Sequence, residues 1–163
     1  MNNQKLNIPQ TVKMVITDFD GIVTDNCVYI DSNGGMTRKL NFKDIMAFSI
    51  LKKQGYKIGI ISGESNSAID ILNDKFNLDE IHTNIRKKLD VLKSIIEKYN
   101  LKSNEYIYIG DDINDVEALE FAEIKITVPD AVEKVKNING IQITSASGGN
   151  GAFREVTDCL INS

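Results

Sequence analysis

Short apolar runs alternate along the chain with longer segments whose apolar residues recur every three or four positions. Continuous runs are typical of parallel strands covered on both faces, and the wider spacing is typical of amphipathic helices. The pattern predicts strands over residues 12–17, 56–62, 80–83, 105–109, 124–128 and 141–143. It predicts helices over residues 44–54, 65–76, 86–99, 113–122, 131–136 and from 152 onwards.

This alternation of strand and helix predicts the α/β class, with a doubly wound, Rossmann-like parallel sheet. A turn cluster, DSNGG, separates two short apolar segments at 28–30 and 37–42, so we expect a small β-hairpin after the first strand. The 163 residues suit one domain spanning 1–163. Within it we expect a polar N-terminal arm (1–10) and a glycine-rich tail with a C-terminal helix (144–163).

Polar side chains collect where the predicted strands end. Asp18 and Asp20 follow the first strand, Ser62 ends the second, Lys88 comes after the third, and Asp111 follows the fourth. In doubly wound sheets, ligands bind beyond the carboxyl ends of the strands. We therefore expect these five side chains to share one rim.

The residue types at this rim suit phosphoryl chemistry. Clustered carboxylates repel one another unless a cation lies among them, and Mg²⁺ prefers such oxygen ligands. A lysine and a hydroxyl beside the cation would share the charge of a phosphoryl group, while an aspartate attacks phosphorus. A second carboxylate could protonate the leaving alcohol and then activate water.

Each residue also has a plain structural explanation when it is taken alone. Ser62 could cap a helix, and Lys88 could be a solvated lysine. Asp112 and Asp115 could be favourable acids in the first turn of a helix. Only the combination along the whole chain favours catalysis.

Composition and charge narrow the classes further. Hydrophobic residues make up 42% of the chain, charged residues 26%, and the net charge is −4 without a basic run. We therefore expect no nucleic-acid partner and no membrane association. No apolar run approaches the ~20 residues of a bilayer span, and the polar start MNNQKLN lacks the apolar segment of a secretory signal. These features predict a cytoplasmic protein.

In these residues the chain resembles the haloacid dehalogenase superfamily of phosphotransferases. The four motifs of that family match in order as DFDGIVT at 18–24, Ser62, Lys88 and GDDIND at 110–115. The resemblance implies that Asp18 is the nucleophile and Asp20 the general acid/base. It further implies that Ser62 and Lys88 bind phosphate. The implied Mg²⁺ ligands are Asp18, Asp20 through its backbone carbonyl, and Asp111, with Asp112 and Asp115 in support.

A closer resemblance is to the capless subgroup that contains 3-deoxy-D-manno-octulosonate 8-phosphate phosphatases, because the interval from Asp20 to Ser62 is too short for a cap domain. The motifs NFKD and GGNGAFRE look like that subgroup's substrate loop and C-terminal signature. The resemblance implies a Mg²⁺-dependent hydrolase of 2-keto-3-deoxy sugar acid phosphates. It also implies a homotetramer in which a neighbour's hairpin and tail close each site. The implied substrate-binding residues are Asn41, Lys43, Asp44, Ser62, Gly63, Glu64, Lys75 and Arg154.

Glu64 departs from the subgroup, whose octulosonate enzymes usually carry arginine there. A glutamate resembles the sister group that acts on 2-keto-3-deoxynonulosonate 9-phosphates, where the acid pairs with a helix lysine, for which Lys75 is the candidate. The sequence therefore slightly favours a nonulosonate 9-phosphate over octulosonate 8-phosphate.

Two other functions share some of these features. A phospho-receiver domain combines acids, Mg²⁺, a hydroxyl and a lysine, but its phosphorylated aspartate closes a middle strand. A catalytically weak interaction domain, of the kind fused to cytidylyltransferases, would need none of the intact Asp18, Asp20, Lys88 and Asp111.

Overall fold

The computed structural model describes residues 6–162. Its strands are β1 (Met14–Thr17), β2 (Tyr29–Ile30), β3 (Met36–Thr37), β4 (Lys57–Ile61), β5 (Glu80–His82), β6 (Tyr106–Ile109), β7 (Ile124–Thr127) and β8 (Gln142–Ile143). Six of them form a parallel sheet in the order β5–β4–β1–β6–β7–β8. The other two form a separate antiparallel hairpin.

Among the described residues, five of the six helices connect successive strands of this sheet, and the sixth follows its last strand. They are α1 (Phe42–Lys53), α2 (Ser67–Phe76), α3 (Lys88–Tyr99), α4 (Val116–Phe121), α5 (Glu133–Lys136) and α6 (Ala152–Ile161), with a 3₁₀ turn at Ile113–Asp115. The chain winds from β1 outward to β5 and then from β6 outward to β8. Right-handed crossovers therefore put the two sets of helices on opposite faces, with the reversal between β1 and β6.

The observed fold is the predicted doubly wound α/β sheet with a hairpin after the first strand. The details differ where side chains fix the boundaries. Helix α1 begins at Phe42, two residues before the predicted start, because the Asn41 side chain accepts a hydrogen bond from the Lys43 N–H and caps it. Each hairpin strand is only two residues long.

Both ends of the described chain belong to the core. The predicted polar arm contains Leu6 and Ile8, which are only 6% and 5% exposed. Residues 1–5 of that arm lie outside the described residues. At the other end, the ring of Phe153 on α6 lies 4.6 Å from that of Phe48 on α1, measured between centroids. Among residues 6–162, no helix combines the length and hydrophobicity that a bilayer crossing requires.

Candidate active site

Three neighbouring strands bring the predicted rim residues together. Asp18 follows β1, Ser62 follows β4 and Asp111 comes just after β6, and β1 lies between the other two strands. The Asp18 N–H still bonds to the Ile109 carbonyl at 2.8 Å, so the ladder continues to the first catalytic candidate. Parallel pairing in register is what makes the three side chains converge.

Lys88 lies at the centre of this rim. It is the first residue of α3, and its side chain is fully buried. Its Nζ lies 2.9 Å from Asp18 Oδ2 and 2.9 Å from Asp115 Oδ1. Burial alone would lower the pKa of Lys88, but Asp115 and Asp18 outweigh it and raise that pKa. The lysine is therefore a fixed cation beside Asp18.

Asp115 holds that lysine in place. Its Oδ1 accepts hydrogen bonds from Lys88 and from the hydroxyl of Tyr108, the latter at 2.7 Å. Its Oδ2 accepts from the backbone N–H groups of Asp111 and Asp112 at 3.2 and 3.3 Å. Burial, with the charge of Asp115, raises the pKa of Tyr108 well above its usual range, so the phenol stays a donor. Four donors occupy this carboxylate, which suits a supporting role.

Tyr108 was not identified from the sequence. It stands in the strand YIYI, where an aromatic residue is typical of a buried strand. Nothing in that pattern distinguishes a tyrosine that serves the site from one that only fills the core.

The carboxylates fit a divalent cation. Asp18, Asp111 and Asp115 each offer an oxygen, and these atoms lie within 4.8 Å of one another. Asp111 Oδ1 is buried and has no hydrogen-bond partner among the described residues. Burial and the charges of Asp115 and Asp112 raise the pKa of Asp111 to about 7. Burial, followed by Asp115, also raises the pKa of Asp18 well above its ordinary range. A hard cation such as Mg²⁺ would stabilise the ionised form of both carboxylates.

Asp18 and Asp111 are the better direct ligands in this cluster, because each oxygen of Asp115 already accepts two hydrogen bonds. Each oxygen of Asp18 has one donor, and Asp111 Oδ1 has none among the described residues. Gly21 makes the approach of Asp111 to the first loop feasible. Its φ is +92°, and a Cβ there would collide with the Asp111 carboxylate. The glycine after DFD is therefore required on two counts, by its backbone conformation and by the acid beside it.

Asp20 faces a different set of groups. Its Oδ1 accepts hydrogen bonds from Arg38 Nε at 2.9 Å and from Thr24 Oγ1 at 3.0 Å. Its carboxylate is thus bonded outside the cluster of Asp18, Asp111 and Asp115. Arg38 was not identified from the sequence, where it stands beside Lys39 in the second strand of the predicted hairpin.

Ser62, Gly63 and Glu64 line the cleft above these acids. The cleft has a volume of about 380 Å³ and is lined by Asp18, Asp20, Asn26, Val28, Met36, Arg38, Ser62, Gly63, Glu64, Asp112 and Asn114. The hydroxyl of Ser62 accepts a hydrogen bond from the Glu64 N–H at 3.2 Å. Asn26 and Asn114 were not identified from the sequence, because an asparagine in a loop or at a helix start is unremarkable there.

Four of the predicted substrate residues lie outside this cleft, at the starts of helices α1 and α6. Asn41 caps α1. Asp44 is buried and accepts hydrogen bonds from the N–H groups of Gly151 and Arg154 at 2.9 and 3.0 Å. Lys43 and Arg154 border a second depression of about 440 Å³. Within one chain, therefore, the motif NFKD anchors the start of α6 and does not reach the cleft.

The glycine-rich segment (144–151) packs against the first loop of its own chain. The Gly149 N–H donates to the Ile22 carbonyl at 2.9 Å. A Cβ at Gly148 would collide with the Gly21 carbonyl. These glycines therefore permit a close backbone approach that supports the loop carrying Asp20.

The predicted pair of Glu64 and Lys75 is not formed in the described part of the chain. Lys75 lies in the last turn of α2, with its Nζ 5.4 Å from the centre of the Phe76 ring. Helix α2 begins only at Ser67, so Lys75 lies about 12 Å further along the axis. The length of the helix separates it from Glu64.

Comparison with known proteins agrees with this arrangement. The family model for haloacid dehalogenase-like hydrolases matches residues 60–155, more than half of the chain. The 3-deoxy-D-manno-octulosonate 8-phosphate phosphatase of Haemophilus influenzae is 26% identical over 152 residues, which cover 93% of this chain and 84% of that protein.

Solved structures show the same similarity. The 3-deoxy-D-manno-octulosonate 8-phosphate phosphatase of Moraxella catarrhalis, in complex with magnesium, phosphate and a KDO molecule, has a TM-score of 0.87 at 29% identity, covering 94% of this chain and 87% of that one. The cobalt-bound Haemophilus influenzae enzyme gives 0.86 at 25% identity, covering 94% and 89%.

These findings confirm the predicted resemblance, the α/β fold, the phosphatase activity and, at the level of the family, the Mg²⁺ cofactor. The sheet, the rim of acids around a buried lysine and the matching family model lead to one assignment. The chain belongs to the haloacid dehalogenase-like hydrolases, as a phosphatase.

Proposed function

We propose that this phosphatase hydrolyses the phosphomonoester of a 2-keto-3-deoxy sugar acid through an aspartyl-phosphate at Asp18. The observation that carries the proposal is the ion pair of Lys88 with Asp18 and Asp115, next to the unpartnered oxygen of Asp111. A lysine that only stabilised the fold would need no open carboxylate oxygen beside it. Mg²⁺ bound by Asp18 and Asp111 would supply positive charge for the phosphoryl oxygens.

The chain's own groups account for both chemical steps. The Phe19 N–H, at 2.6 Å from Oδ1, and Lys88, at Oδ2, hold the Asp18 carboxylate in one orientation. An Asp18 oxygen attacks phosphorus, the ester P–O bond breaks, and Asp20 gives its proton to the leaving alcohol. Asp20 then takes a proton from water, which attacks phosphorus and releases inorganic phosphate from Asp18.

The cleft supports a small polar substrate. Ser62 and Lys88 are proposed to bind the phosphoryl group, while Glu64, Asn26 and Asn114 meet the sugar. The relatives act on octulosonate 8-phosphate. Glu64 stands where an arginine would bind a carboxylate well, and an exposed glutamate suits hydroxyl groups better. We therefore favour a nonulosonate 9-phosphate over octulosonate 8-phosphate.

A substrate panel tests this function. Octulosonate 8-phosphate, nonulosonate 9-phosphates and simple sugar phosphates are compared by kcat/KM with Mg²⁺ present. We expect the sugar acid phosphates to exceed the simple sugar phosphates. Higher kcat/KM for simple sugar phosphates would overturn the substrate class while leaving the phosphatase chemistry intact.

We also propose a homotetramer in the cytoplasm, in which the hairpin closes a neighbour's cleft. The hairpin supports this proposal because Val28, Tyr29, Ile30 and Met36 are 40%, 61%, 69% and 58% exposed. Such an apolar group is unfavourable on a free monomer. Light scattering of the purified protein measures the assembly, and a fully active monomer would contradict it.

A further inference from the structure

Arg38 is the one cationic side chain among the residues that line the cleft, within the part of the chain that the structure describes. Four carboxylates line the same cleft, those of Asp18, Asp20, Glu64 and Asp112. Lys88 is fully buried between two acids, so its charge is largely offset there. A substrate with a second negative group would therefore meet a repulsive cleft everywhere except at Arg38.

Arg38 lies next to Asp20, and this contact determines the part of the cleft in which it can bind a substrate group. Its Nε donates to Asp20 Oδ1 at 2.9 Å, and its side chain is only 9% exposed. Asp20 is the proposed donor of a proton to the leaving oxygen, so Arg38 borders the space of the leaving alcohol. Among the described residues, Arg38 bonds to Asp20 and not to Asp18, Ser62 or Lys88, the groups assigned to the phosphoryl position.

The guanidinium has donors left for a ligand. Only Nε is used in the contact with Asp20, and the two terminal nitrogens carry four further N–H groups in a planar fork. A fork of this kind matches the two oxygens of a carboxylate. Near-complete burial and the bond to Asp20 limit the rotamers of the side chain beside the cleft that it lines.

We infer that Arg38 is the specificity-determining residue that binds the carboxylate of the substrate's leaving alcohol. The inference rests on the proposed function, because it uses Asp20 to define the leaving-group side. It identifies the substrate class by its chemistry, as a phosphomonoester whose alcohol carries a carboxylate. Arginine is supplied here by the hairpin and not by the position two residues after Ser62, where Glu64 stands.

A matched pair of substrates tests the inference. In 6-phosphogluconate the carbon distal to the phosphate is a carboxylate, and in sorbitol 6-phosphate it is an alcohol. The ratio of kcat/KM for the two is measured with Mg²⁺ for the wild type, Arg38→Met and Arg38→Lys. The control is Lys39→Met, which removes the same charge from the neighbouring hairpin position, where Lys39 pairs with Asp25 outside the cleft.

We expect Arg38→Met to lower the ratio of acid to alcohol roughly 10- to 100-fold, the range for loss of one charged hydrogen-bonded pair. Arg38→Lys should recover part of the ratio, because it keeps the charge and loses the fork. Lys39→Met should leave the ratio near that of the wild type. If Arg38→Met is too unstable to assay, the ratio for Arg38→Lys is compared with that of the wild type, and we expect it to be lower.

An equal loss on both substrates would overturn the inference, because Arg38 would then act only through Asp20. An unchanged ratio would overturn it as well. Failure of the proposed function looks different: Asp18→Asn would then retain activity on both substrates. A phosphatase that depends on Asp18 but keeps its ratio without Arg38 would isolate the failure to this inference.

Discussion

Two regions of the site are built from opposite kinds of side chain. The strand ends hold Lys88 and the acids around it, and the mouth of the cleft holds Glu64 and the exposed residues of the hairpin. At the strand ends, Lys88 and Asp115 are buried and bonded to each other. At the mouth, Glu64 is exposed, and Tyr29 and Ile30 of the hairpin are more than half exposed. Buried charges must be paired, so each one limits the identity of its neighbours. Exposed residues carry little such constraint.

This difference assigns separate tasks to the two regions. Chemistry depends on the buried strand ends, where a single substitution leaves a charge without its partner. Substrate choice depends on the mouth, where a substitution changes what the cleft attracts without disturbing the fold. Changes at the strand ends should therefore abolish turnover of every substrate, and changes at the mouth should alter only ratios between substrates.

Asp18→Asn should have the largest effect. The substitution is nearly isosteric and removes the attacking oxygen anion, so turnover of every phosphomonoester should fall on the order of 10³-fold or more. Steady-state kinetics measures the loss, and circular dichroism of the same sample verifies the fold. Substantial remaining activity would contradict the role of Asp18 as nucleophile.

Asp20→Asn should have the second largest effect on turnover. Removal of proton transfer should slow turnover roughly 10²–10⁴-fold. Because the side chain of Asp20 bonds to Arg38 and Thr24, and not to the buried acids, Mg²⁺ affinity should change little. Calorimetric titration with Mg²⁺ measures that affinity. A parallel loss of metal binding would make the Asp20 side chain a ligand.

Asp111 should make the metal-free protein sensitive to pH. Its pKa is raised to about 7 in the fold, whereas an unfolded aspartate titrates near about 4. The folded state therefore keeps a proton that the unfolded state releases, and stability should fall as the pH rises from about 4 to about 7. Thermal unfolding in the presence of a chelator, at about pH 5 and about pH 7.5, measures the change.

The matched variant is Asp111→Asn, which removes the titrating group. Relative to the wild type, it should lose less stability over that pH interval, and Mg²⁺ should no longer raise its unfolding temperature. Identical pH profiles for the two proteins would mean that Asp111 does not carry the effect.

Glu64→Arg should have the smallest effect and belongs to the mouth. It should shift the ratio of kcat/KM between octulosonate 8-phosphate and nonulosonate 9-phosphates, by roughly tenfold for each ~1.4 kcal/mol of differential binding. Lys75→Met is a matched control, because Lys75 lies at the far end of α2. If the ratio is the same in the wild type, Glu64→Arg and Lys75→Met, Glu64 is not a specificity residue.

The sequence predicted the residues at the strand ends better than those that the hairpin contributes to the cleft. Asp18, Ser62 and Asp111 follow apolar strands, and Lys88 begins a helix after the next strand. The parallel topology brings these strand ends together. Arg38 could not be predicted in this way. It depends on the tertiary placement of a two-residue hairpin strand, which periodicity does not specify.

The C-terminal segment illustrates the same limit. Its glycines suggested a tail free to reach a neighbour, yet α6 buries Phe153 against α1, and the N–H groups at its start bond to Asp44. Sequence pattern identifies an amphipathic helix but not its partner face. Removal of residues 148–163 should therefore unfold the subunit, and would not test tetramer formation.

Direct detection of the phosphorylated residue tests the central claim most closely. Asp20→Asn is mixed with p-nitrophenyl phosphate, whose leaving group needs little protonation, so the phosphoenzyme should accumulate because its hydrolysis lacks a base. Acid quenching and borohydride reduction convert an aspartyl-phosphate to homoserine, which peptide mass spectrometry locates. The account predicts homoserine at position 18, dependent on substrate and Mg²⁺. Homoserine at another aspartate, or release of p-nitrophenol with no trapped residue, would contradict it.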